Sequence, residues 1–392
     1  MAHPVRGRAA IVGVADAASP SGSLGAMPRE LEVAMIREAL EDAGLSIGDV
    51  DGVFVAGMGM MPSLELAEYL GIQPRYTDST MTGGSSFEVM VEHAAAAVAL
   101  GLCDVAISVY AATPRTHHGG RLATGARAAF GGSSPMTEWE LPTGLLYPPG
   151  AYALAASRHM AIYGTTSEQL ASIAVQTRSW ATRNPRARYR EPIEVRDVLA
   201  SDLVATPLHR LDCCLVTDGA GAVVVTSTER ARDLRKPVVP VLGVGTCHTH
   251  SLISQMPELT VTAGAVSGPK AFAIAGIGPD DVDVLESYDS FTITVLLALE
   301  DLGFCAKGEG GAFAASGALG PGGSLPTNTN GGGLSYTHPG MYGMFLLVEA
   351  VRQLRGEGGD RQVADPEIAV AHGCGGVLSA TSTVVLGTEA TL

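Results

Sequence analysis

The feature that most constrains the fold is an internal repeat. Residues 38–55 read EALEDAGLSIGDVDGVFV, and residues 271–287 read AFAIAGIGPDDVDVLES. In both, a helical stretch ends at a glycine, Gly44 or Gly276, that can serve as a left-handed C-cap, and an Asp-Val-Asp triplet begins five residues later. A repeated unit of helix, acidic turn and apolar strand predicts a chain built from two similar halves.

Further segments extend this repeat. Each copy is preceded by a Val- and Gly-rich strand and followed by a long apolar helix that leads through glycine into another strand. These segments lie at 9–14, 87–100 and 104–110 in the first half and at 238–244, 344–354 and 368–372 in the second. The pattern predicts an α/β protein of two β-α-β-α-β halves, residues 1–236 and 237–392. An insertion at 111–206 interrupts the first half, and insertions of this length are often lids or binding loops.

Composition narrows the classes of function. The chain of 392 residues is 46% hydrophobic and only 17% charged, as in layered proteins whose strands are buried on both faces and whose solvated surface is small. A formal net charge of −15 argues against nucleic acid as a partner. The six cysteines show no zinc-ligand spacing, no signal peptide is legible, and no apolar stretch is long enough to span a bilayer. We therefore expect a cytoplasmic oligomer with free thiols and without a metal or membrane segment.

One segment is locally basic despite the acidic total. Residues 178–190 carry five arginines around Trp180 and Tyr189. Such a run is either a patch that binds phosphate groups or a solvated face, and the sequence leaves both readings open.

Three segments place polar groups directly after a predicted strand, where ligands bind in open α/β sheets. They are LESYDSF at residues 285–291, NTNGGGLSYTHPGMYG at 328–343 and HGCGG at 372–376. All three resemble motifs of the thiolase superfamily, in particular its sterol-carrier-type and lipid-transfer-protein branch, which includes thiolase-like aldolases. With LDCCLVTDGAGAVVV at 211–225, the matches extend over most of the chain. The resemblance implies the thiolase fold, in which two pseudo-twofold-related halves form αβαβα layers.

The resemblance assigns roles to three side chains. His338 matches the catalytic histidine that polarises the thioester carbonyl, although Thr337 stands where the family has glycine. Cys374, between two glycines, matches the acid–base cysteine and can be tuned toward thiolate by neighbouring N–H dipoles. Tyr288 replaces the histidine of the family's H-D-C-F motif; a tyrosine, with an ordinary pKa of about 10, donates a hydrogen bond at rest and acts as a base only if that value is shifted. The alternatives are structural: a loop histidine, a buried cysteine and a core tyrosine.

The nucleophilic cysteine of the family is missing. In family members it opens the long helix of the first half, and counting back twenty residues from Asp104, at the start of the next strand, gives Gly84. Residues 80–94 contain no cysteine. A site without this residue keeps His338 and the N–H groups near Gly84 and Gly376, which we expect to act as oxyanion donors.

A hydroxyl could take the place of the missing thiol. A shift of one or two residues brings Thr82, Ser85 or Ser86 to the helix start, where the helix dipole favours negative charge. A hydroxyl nucleophile also needs an adjacent base, and the local sequence offers none.

The function that the resemblance implies is non-covalent carbon–carbon cleavage of an acyl-CoA. Tyr288 or His338 would deprotonate a β-hydroxyacyl-CoA, with a steroid or lipid side chain as one option, and Cys374 would reprotonate the enolate. The alternatives are an acyltransferase with an unconventional nucleophile and a non-catalytic subunit that binds acyl-CoA or lipid. The resemblance further implies no cofactor beyond the coenzyme A thioester substrate, a homodimer, and a small OB-fold, zinc-ribbon partner protein.

Overall fold

The computed structural model describes residues 3–57, 59–118, 134–145 and 147–392. Its strands are β1 (Ala9–Ala17), β2 (Gly52–Val55), β3 (Tyr76–Asp78), β4 (Val105–Ala112), β5 (Leu203–Ala205), β6 (Leu208–His209), β7 (Gly219–Ser227), β8 (Val239–His248), β9 (Val284–Ser287), β10 (Ile368–Gly375) and β11 (Ala380–Gly387). Its helices are α1 (Pro28–Ala43), α2 (Pro62–Leu70), α3 (Ser86–Ala99), α4 (Pro114–His118), α5 (Pro149–Tyr163), α6 (Ser167–Ala181), α7 (Val195–Ala200), α8 (Thr228–Ala231), α9 (Gly264–Ala275), α10 (Thr292–Asp301), α11 (Gly310–Ala315) and α12 (Gly343–Leu354).

The strands form a first group, β3-β2-β4-β7-β1, and a second group, β8-β11-β10-β9, and two helices lie between the groups. Among the described residues the sheet order is β3-β2-β4-β7-β1-β8-β11-β10-β9, and β1 joins β8 through two residue pairs only, Ala10–Pro240 and Ile11–Val239. Helices α3 and α12 pack against strands of both groups, whereas α1 covers β1 and β7 and α9 covers β8 and β11. The layers therefore run α1, first strand group, α3 with α12, second strand group, α9, which confirms the predicted αβαβα arrangement.

The central helices are buried around most of their circumference because a sheet lies on each face. In α3, for example, Phe87, Met90 and Ala95 are fully buried although they point in different directions around the helix. Both helices begin at glycine-rich turns, so their N-terminal ends come close to the ends of β9 and β10. The candidate site lies where the N-terminal ends of α3 and α12 meet the ends of β9 and β10.

The repeat seen in the sequence is a repeat of structure. Gly44 and Gly276, each with φ of 75°, end α1 and α9 in the left-handed conformation that glycine adopts without strain. The Asp51 carboxylate accepts hydrogen bonds from two N–H groups at the start of β4, and that of Asp283 accepts from two at the start of β10, at 2.8–3.1 Å. The second aspartate of each triplet thus ties its strand to the neighbouring one.

The structure adds elements to the predicted pattern. Helix α2 and the edge strand β3 belong to the first strand group, and β7 inserts between β4 and β1. Strand β4 continues to Ala112, and the bounds of the predicted insertion stay a prediction. Residues 119–133 and 146 of that insertion lie outside the described part of the chain. The division at residue 236 stays a prediction. Across the described ranges, no helix is both long and apolar enough to cross a bilayer.

Candidate active site

Tyr288, which follows β9, and His338, in the loop before α12, form a hydrogen-bonded pair. Oη of Tyr288 lies 3.1 Å from Nε2 of His338. The same oxygen accepts the N–H of Tyr342 at 3.2 Å. In the tautomer of His338 that carries its proton on Nδ1, the Tyr288 hydroxyl donates to Nε2. Burial raises the pKa of Tyr288 well above its ordinary value and lowers the pKa of His338 to about 4. At neutral pH both groups are therefore uncharged, and the imidazole can accept the phenol proton.

The loop around His338 is held by threonine hydroxyls. The His338 N–H donates to Oγ1 of Thr217 at 2.8 Å, and Thr337 donates to the carbonyl oxygen of Asp218 at 2.9 Å. Thr337, which replaces a family glycine, thus adds a bond between this loop and the start of β7. Nδ1 of His338 is buried without a hydrogen-bond partner among the described residues, so it is available to bind a ligand oxygen.

Cys374 lies at the end of β10 with 4% of its surface exposed. Burial raises the pKa of its thiol to about 12, although the N–H of Leu378 bonds the sulfur and opposes this shift. At neutral pH the thiol is consequently protonated. A buried neutral thiol can donate a proton to a strongly basic carbon but is a poor base. Of the acid and base roles that the sequence suggested for Cys374, the geometry therefore favours that of the acid.

Gly84 brings the first half of the chain into contact with these groups. A Cβ built on Gly84 would lie 2.2 Å from Cε2 of Tyr288 and 2.4 Å from the carbonyl oxygen of Cys374. Gly376 is adjacent, since a Cβ on Gly83 would lie 2.7 Å from its nitrogen. The structure thus places Tyr288, His338, Cys374, Gly84 and Gly376 in one region.

The candidate hydroxyl nucleophiles are engaged in the turn that starts α3. Ser86 donates to the carbonyl oxygen of Gly83 at 2.7 Å, and Ser85 donates to that of Thr82 at 3.1 Å. Both serines are fully buried. In the described chain no imidazole or carboxylate is hydrogen-bonded to either hydroxyl. A serine nucleophile stays a hypothesis, and the geometry supplies it with no base.

Sequence reasoning missed three residues of this region. Tyr342 was inside a quoted motif, but only the fold shows that its N–H bonds Tyr288 and that its hydroxyl bonds Asn330 at 2.8 Å. Tyr152 reaches the site from the insertion, where no periodic pattern signalled it. Glu88 was legible as an acid in the first turn of a predicted apolar helix, a signal that could have been followed.

Glu88 is a buried acid in the first turn of α3. It is fully buried one helical turn from Gly84, and neither of its carboxyl oxygens has a hydrogen-bond partner in the described chain. The carboxyl fits against Gly343 and Gly373, where a built Cβ would lie 2.3 and 2.2 Å from its Oε2. Burial raises its pKa to about 8, so the group is protonated at neutral pH.

We expect Glu88→Gln to remove a pH-dependent loss of stability. Folding raises the pKa of Glu88 from 4.5 to about 8. The protonated carboxyl therefore contributes fully to the free energy of unfolding below pH 4.5. This contribution decreases by up to roughly 1.4 kcal/mol per pH unit as the pH rises towards 8. The fall in unfolding free energy from pH 5 to pH 8 should then be about 2–4 kcal/mol smaller in the variant. Urea denaturation measures it, with the exposed Glu68→Gln as control. Equal falls in Glu88→Gln and wild type would contradict the assignment.

A surface cavity of about 200 Å³ is lined in part by Thr217, whose hydroxyl accepts the His338 N–H. Its lining also includes Cys214 and the side chains of Arg115, Arg188 and Arg210. The cavity lining therefore combines three arginine side chains with neutral groups. Within the described ranges, no three His, Cys, Asp or Glu side chains are grouped so as to hold a metal ion.

The basic run 178–190 contributes only partly to this cavity. Arg178 is buried and bonds Ser335, and Arg186 pairs with Asp16 at 2.9 Å, so both are structural. Arg188 lines the cavity.

Comparison with known proteins places the chain among proteins of related sequence. The family model "Thiolase C-terminal domain-like" matches residues 245–388. The chain is 36% identical over 389 residues to the 17-hydroxy-3-oxo-4-pregnene-20-carboxyl-CoA lyase of Mycobacterium tuberculosis, covering 97% of this chain and 99% of that one. It is 35% identical over 396 residues to the steroid side-chain-cleaving aldolase of Thermomonospora curvata, covering 98% of each. A solved structure described as "Ltp2-ChsH2(DUF35) aldolase" superposes with a TM-score of 0.89 at 33% identity, with 100% of both chains covered.

Proposed function

Because the chain belongs to the thiolase superfamily, in the branch of sterol-carrier-type thiolases and thiolase-like aldolases, we propose that it is a carbon–carbon lyase that cleaves a β-hydroxyacyl-CoA by a retro-aldol reaction. The observation that carries this proposal is the hydrogen-bonded pair of Tyr288 and His338 beside Gly84. The pair offers acid–base chemistry, and the glycine offers no side chain for covalent attack on the thioester.

Tyr288 is the group that takes the proton of the β-hydroxyl. As it does so, its own proton passes to Nε2 of His338, and the Tyr342 N–H stabilises the negative charge that develops on the phenol oxygen. The bond between the α- and β-carbons then breaks, which leaves a ketone or aldehyde and the enolate of the acyl-CoA. The two proton transfers at Tyr288 are concerted, since a buried free phenolate would be costly.

His338 also stabilises the enolate. Its partnerless Nδ1 donates to the thioester oxygen, where the negative charge of the enolate collects. The positive charge gained at the imidazole is offset by this negative charge, which is how a histidine with a pKa of about 4 can accept a proton during the reaction.

Cys374 returns a proton to the α-carbon. Its thiol is protonated at neutral pH because burial raises its pKa to about 12. An enolate carbon is far more basic than a thiolate, so transfer from sulfur to carbon is downhill. The products are then a carbonyl compound and a neutral acyl-CoA.

The coenzyme A part of the substrate enters through the basic cavity. Arg115, Arg188 and Arg210 would bind its phosphates, while the thioester reaches the part of the cavity near Thr217. The names of the two relatives, a pregnene-carboxyl-CoA lyase and a steroid side-chain-cleaving aldolase, support a bulky polycyclic acyl group as the substrate class.

The chain acts with protein partners in this proposal. The solved relative is named as an assembly with ChsH2(DUF35), which supports a small partner protein for this chain as well. A homodimer through the edge strand β3 is supported by the apolar side chains exposed near it, among them Met60 and Tyr69 at 87% and 66%.

The test is product analysis with a defined substrate. The purified chain, alone and co-expressed with its partner protein, is incubated with the CoA thioester of a 17-hydroxylated steroid side-chain acid, and mass spectrometry follows the ketone and acyl-CoA. Release of both in equal amounts, without a covalent adduct on the protein, is the expected result. A trapped acyl-enzyme would favour an acyltransferase, and no turnover in the co-expressed complex would favour a binding subunit.

A further inference from the structure

Tyr152 reaches the candidate site from α5 in the insertion. It is 3% exposed, and its ring lies on that of Phe291 with 4.3 Å between the centroids. Its hydroxyl donates to the carbonyl oxygen of Gly376 at 3.2 Å. Gly376 is two residues from Cys374, so the Tyr152 hydroxyl lies over the turn that carries the thiol.

The environment of Cys374 leaves its thiolate weakly stabilised. The N–H of Leu378 bonds the sulfur, but burial disfavours a negative charge there. A thiol that must release a proton here needs a second donor to its sulfur.

We propose that Tyr152 is a positioning residue that stabilises the Cys374 thiolate by a hydrogen bond from its hydroxyl to the sulfur while the thiol proton moves to the α-carbon of the substrate. The proposal rests on the lyase function argued above. In this proposal the site contains two pairs of residues. Tyr288 and His338 accept the proton of the β-hydroxyl, and Tyr152 and Cys374 deliver a proton to the α-carbon.

The step balances without a further reagent. The S–H bond of Cys374 breaks as the bond between the α-carbon and hydrogen forms, and the electron pair stays on sulfur. The Tyr152 O–H, donated to the Gly376 carbonyl at rest, turns to the thiolate. The proton that His338 received from the β-hydroxyl, by way of Tyr288, leaves to solvent with the products, and one proton from solvent restores the thiol.

Exchange of α-hydrogens isolates this half of the reaction. Propionyl-CoA is incubated in D₂O with the full chain in its co-expressed complex, and mass spectrometry follows deuterium at the α-carbon. In Tyr152→Phe the ring still packs on Phe291 and only the hydroxyl is lost. We expect the exchange rate at saturating propionyl-CoA to fall about tenfold or more, with KM and thermal stability little changed.

A double-mutant cycle with Cys374→Ala tests whether the hydroxyl acts through the thiol. Tyr152→Phe should have no further effect on the residual exchange of Cys374→Ala, whereas equal effects in both backgrounds would overturn the proposal. Tyr163→Phe on the same helix, 37% exposed, should exchange as fast as wild type.

The two proposals fail in different ways. Wild-type exchange in Tyr152→Phe, in a complex that still cleaves the β-hydroxyacyl-CoA, would overturn the role of Tyr152 alone. A wild-type complex that exchanges α-hydrogens but never cleaves the β-hydroxyacyl-CoA would overturn the lyase function.

Discussion

Tyr288→Phe is expected to lower kcat for carbon–carbon cleavage by about 10³-fold while KM changes little, because the variant loses the group that takes the β-hydroxyl proton. Phenylalanine keeps the ring that packs beside Gly84 and loses only the oxygen that bonds His338 and the Tyr342 N–H. The measurement is steady-state release of ketone and acyl-CoA from the β-hydroxyacyl-CoA.

Two further readouts separate chemistry from folding in this variant. The unfolding free energy should fall by about 1–3 kcal/mol, because the variant loses two buried hydrogen bonds, to His338 and from the Tyr342 N–H. Exchange of α-hydrogens, which we assign to Cys374, should fall much less than cleavage. Cleavage by Tyr288→Phe at nearly the wild-type rate would remove Tyr288 from the mechanism, whatever the state of the fold.

The layered fold could be predicted because its signals are local. Gly44 and Gly276 end their helices because each adopts the left-handed backbone conformation. The Asp-Val-Asp triplets follow these glycines at the same spacing in both halves, and their second aspartate accepts N–H groups at the start of a neighbouring strand. Helix α2 and strand β3 were missed, because β3 has only three residues and is partly exposed, so it lacks the apolar run that marks the other strands.

The candidate site could be predicted only where a motif carried it. Tyr288, His338 and Cys374 stand in recognisable segments that follow strands, and the structure brings them together. Tyr152 could not be found in this way, because its approach to Gly376 depends on how the insertion packs over the second half, and no local pattern records that. The protonation states also needed the fold, since burial sets the pKa values of all these groups.

The missing nucleophile and the new tyrosine are two aspects of one change. The ring of Tyr288 occupies the space into which a side chain at position 84 would project, as the distances of 2.2 and 2.5 Å from a built Cβ to its Cε2 and Cζ indicate. A cysteine at 84 and a tyrosine at 288 therefore exclude each other on steric grounds. Tyr288 fits at this site only because position 84 is a glycine.

Gly84→Ala is accordingly expected to lower cleavage at least about 100-fold and to destabilise the fold by about 1–3 kcal/mol, the usual range for overpacking. The added methyl group meets the Tyr288 ring and the carbonyl oxygen of Cys374, and neither is the flexible end of a side chain. Any shift of the ring also disturbs its bond to His338. Gly48→Ala is the matched control, since its built Cβ has no neighbour closer than 3.7 Å. Urea denaturation and the cleavage assay measure the two effects.

Gly84→Cys carries the same argument further, since it restores the residue type that the family uses as its nucleophile. We expect this variant to be as inactive in cleavage as Gly84→Ala and to take up no acyl group from acyl-CoA, because the thiol enters at the expense of the Tyr288 ring. Combining Gly84→Cys with Tyr288→Ala removes the ring and should recover part of the lost stability. Intact-mass measurement after incubation with acetyl-CoA decides the point: a stable Gly84→Cys single variant that becomes acylated would show that the tyrosine does not exclude the nucleophile.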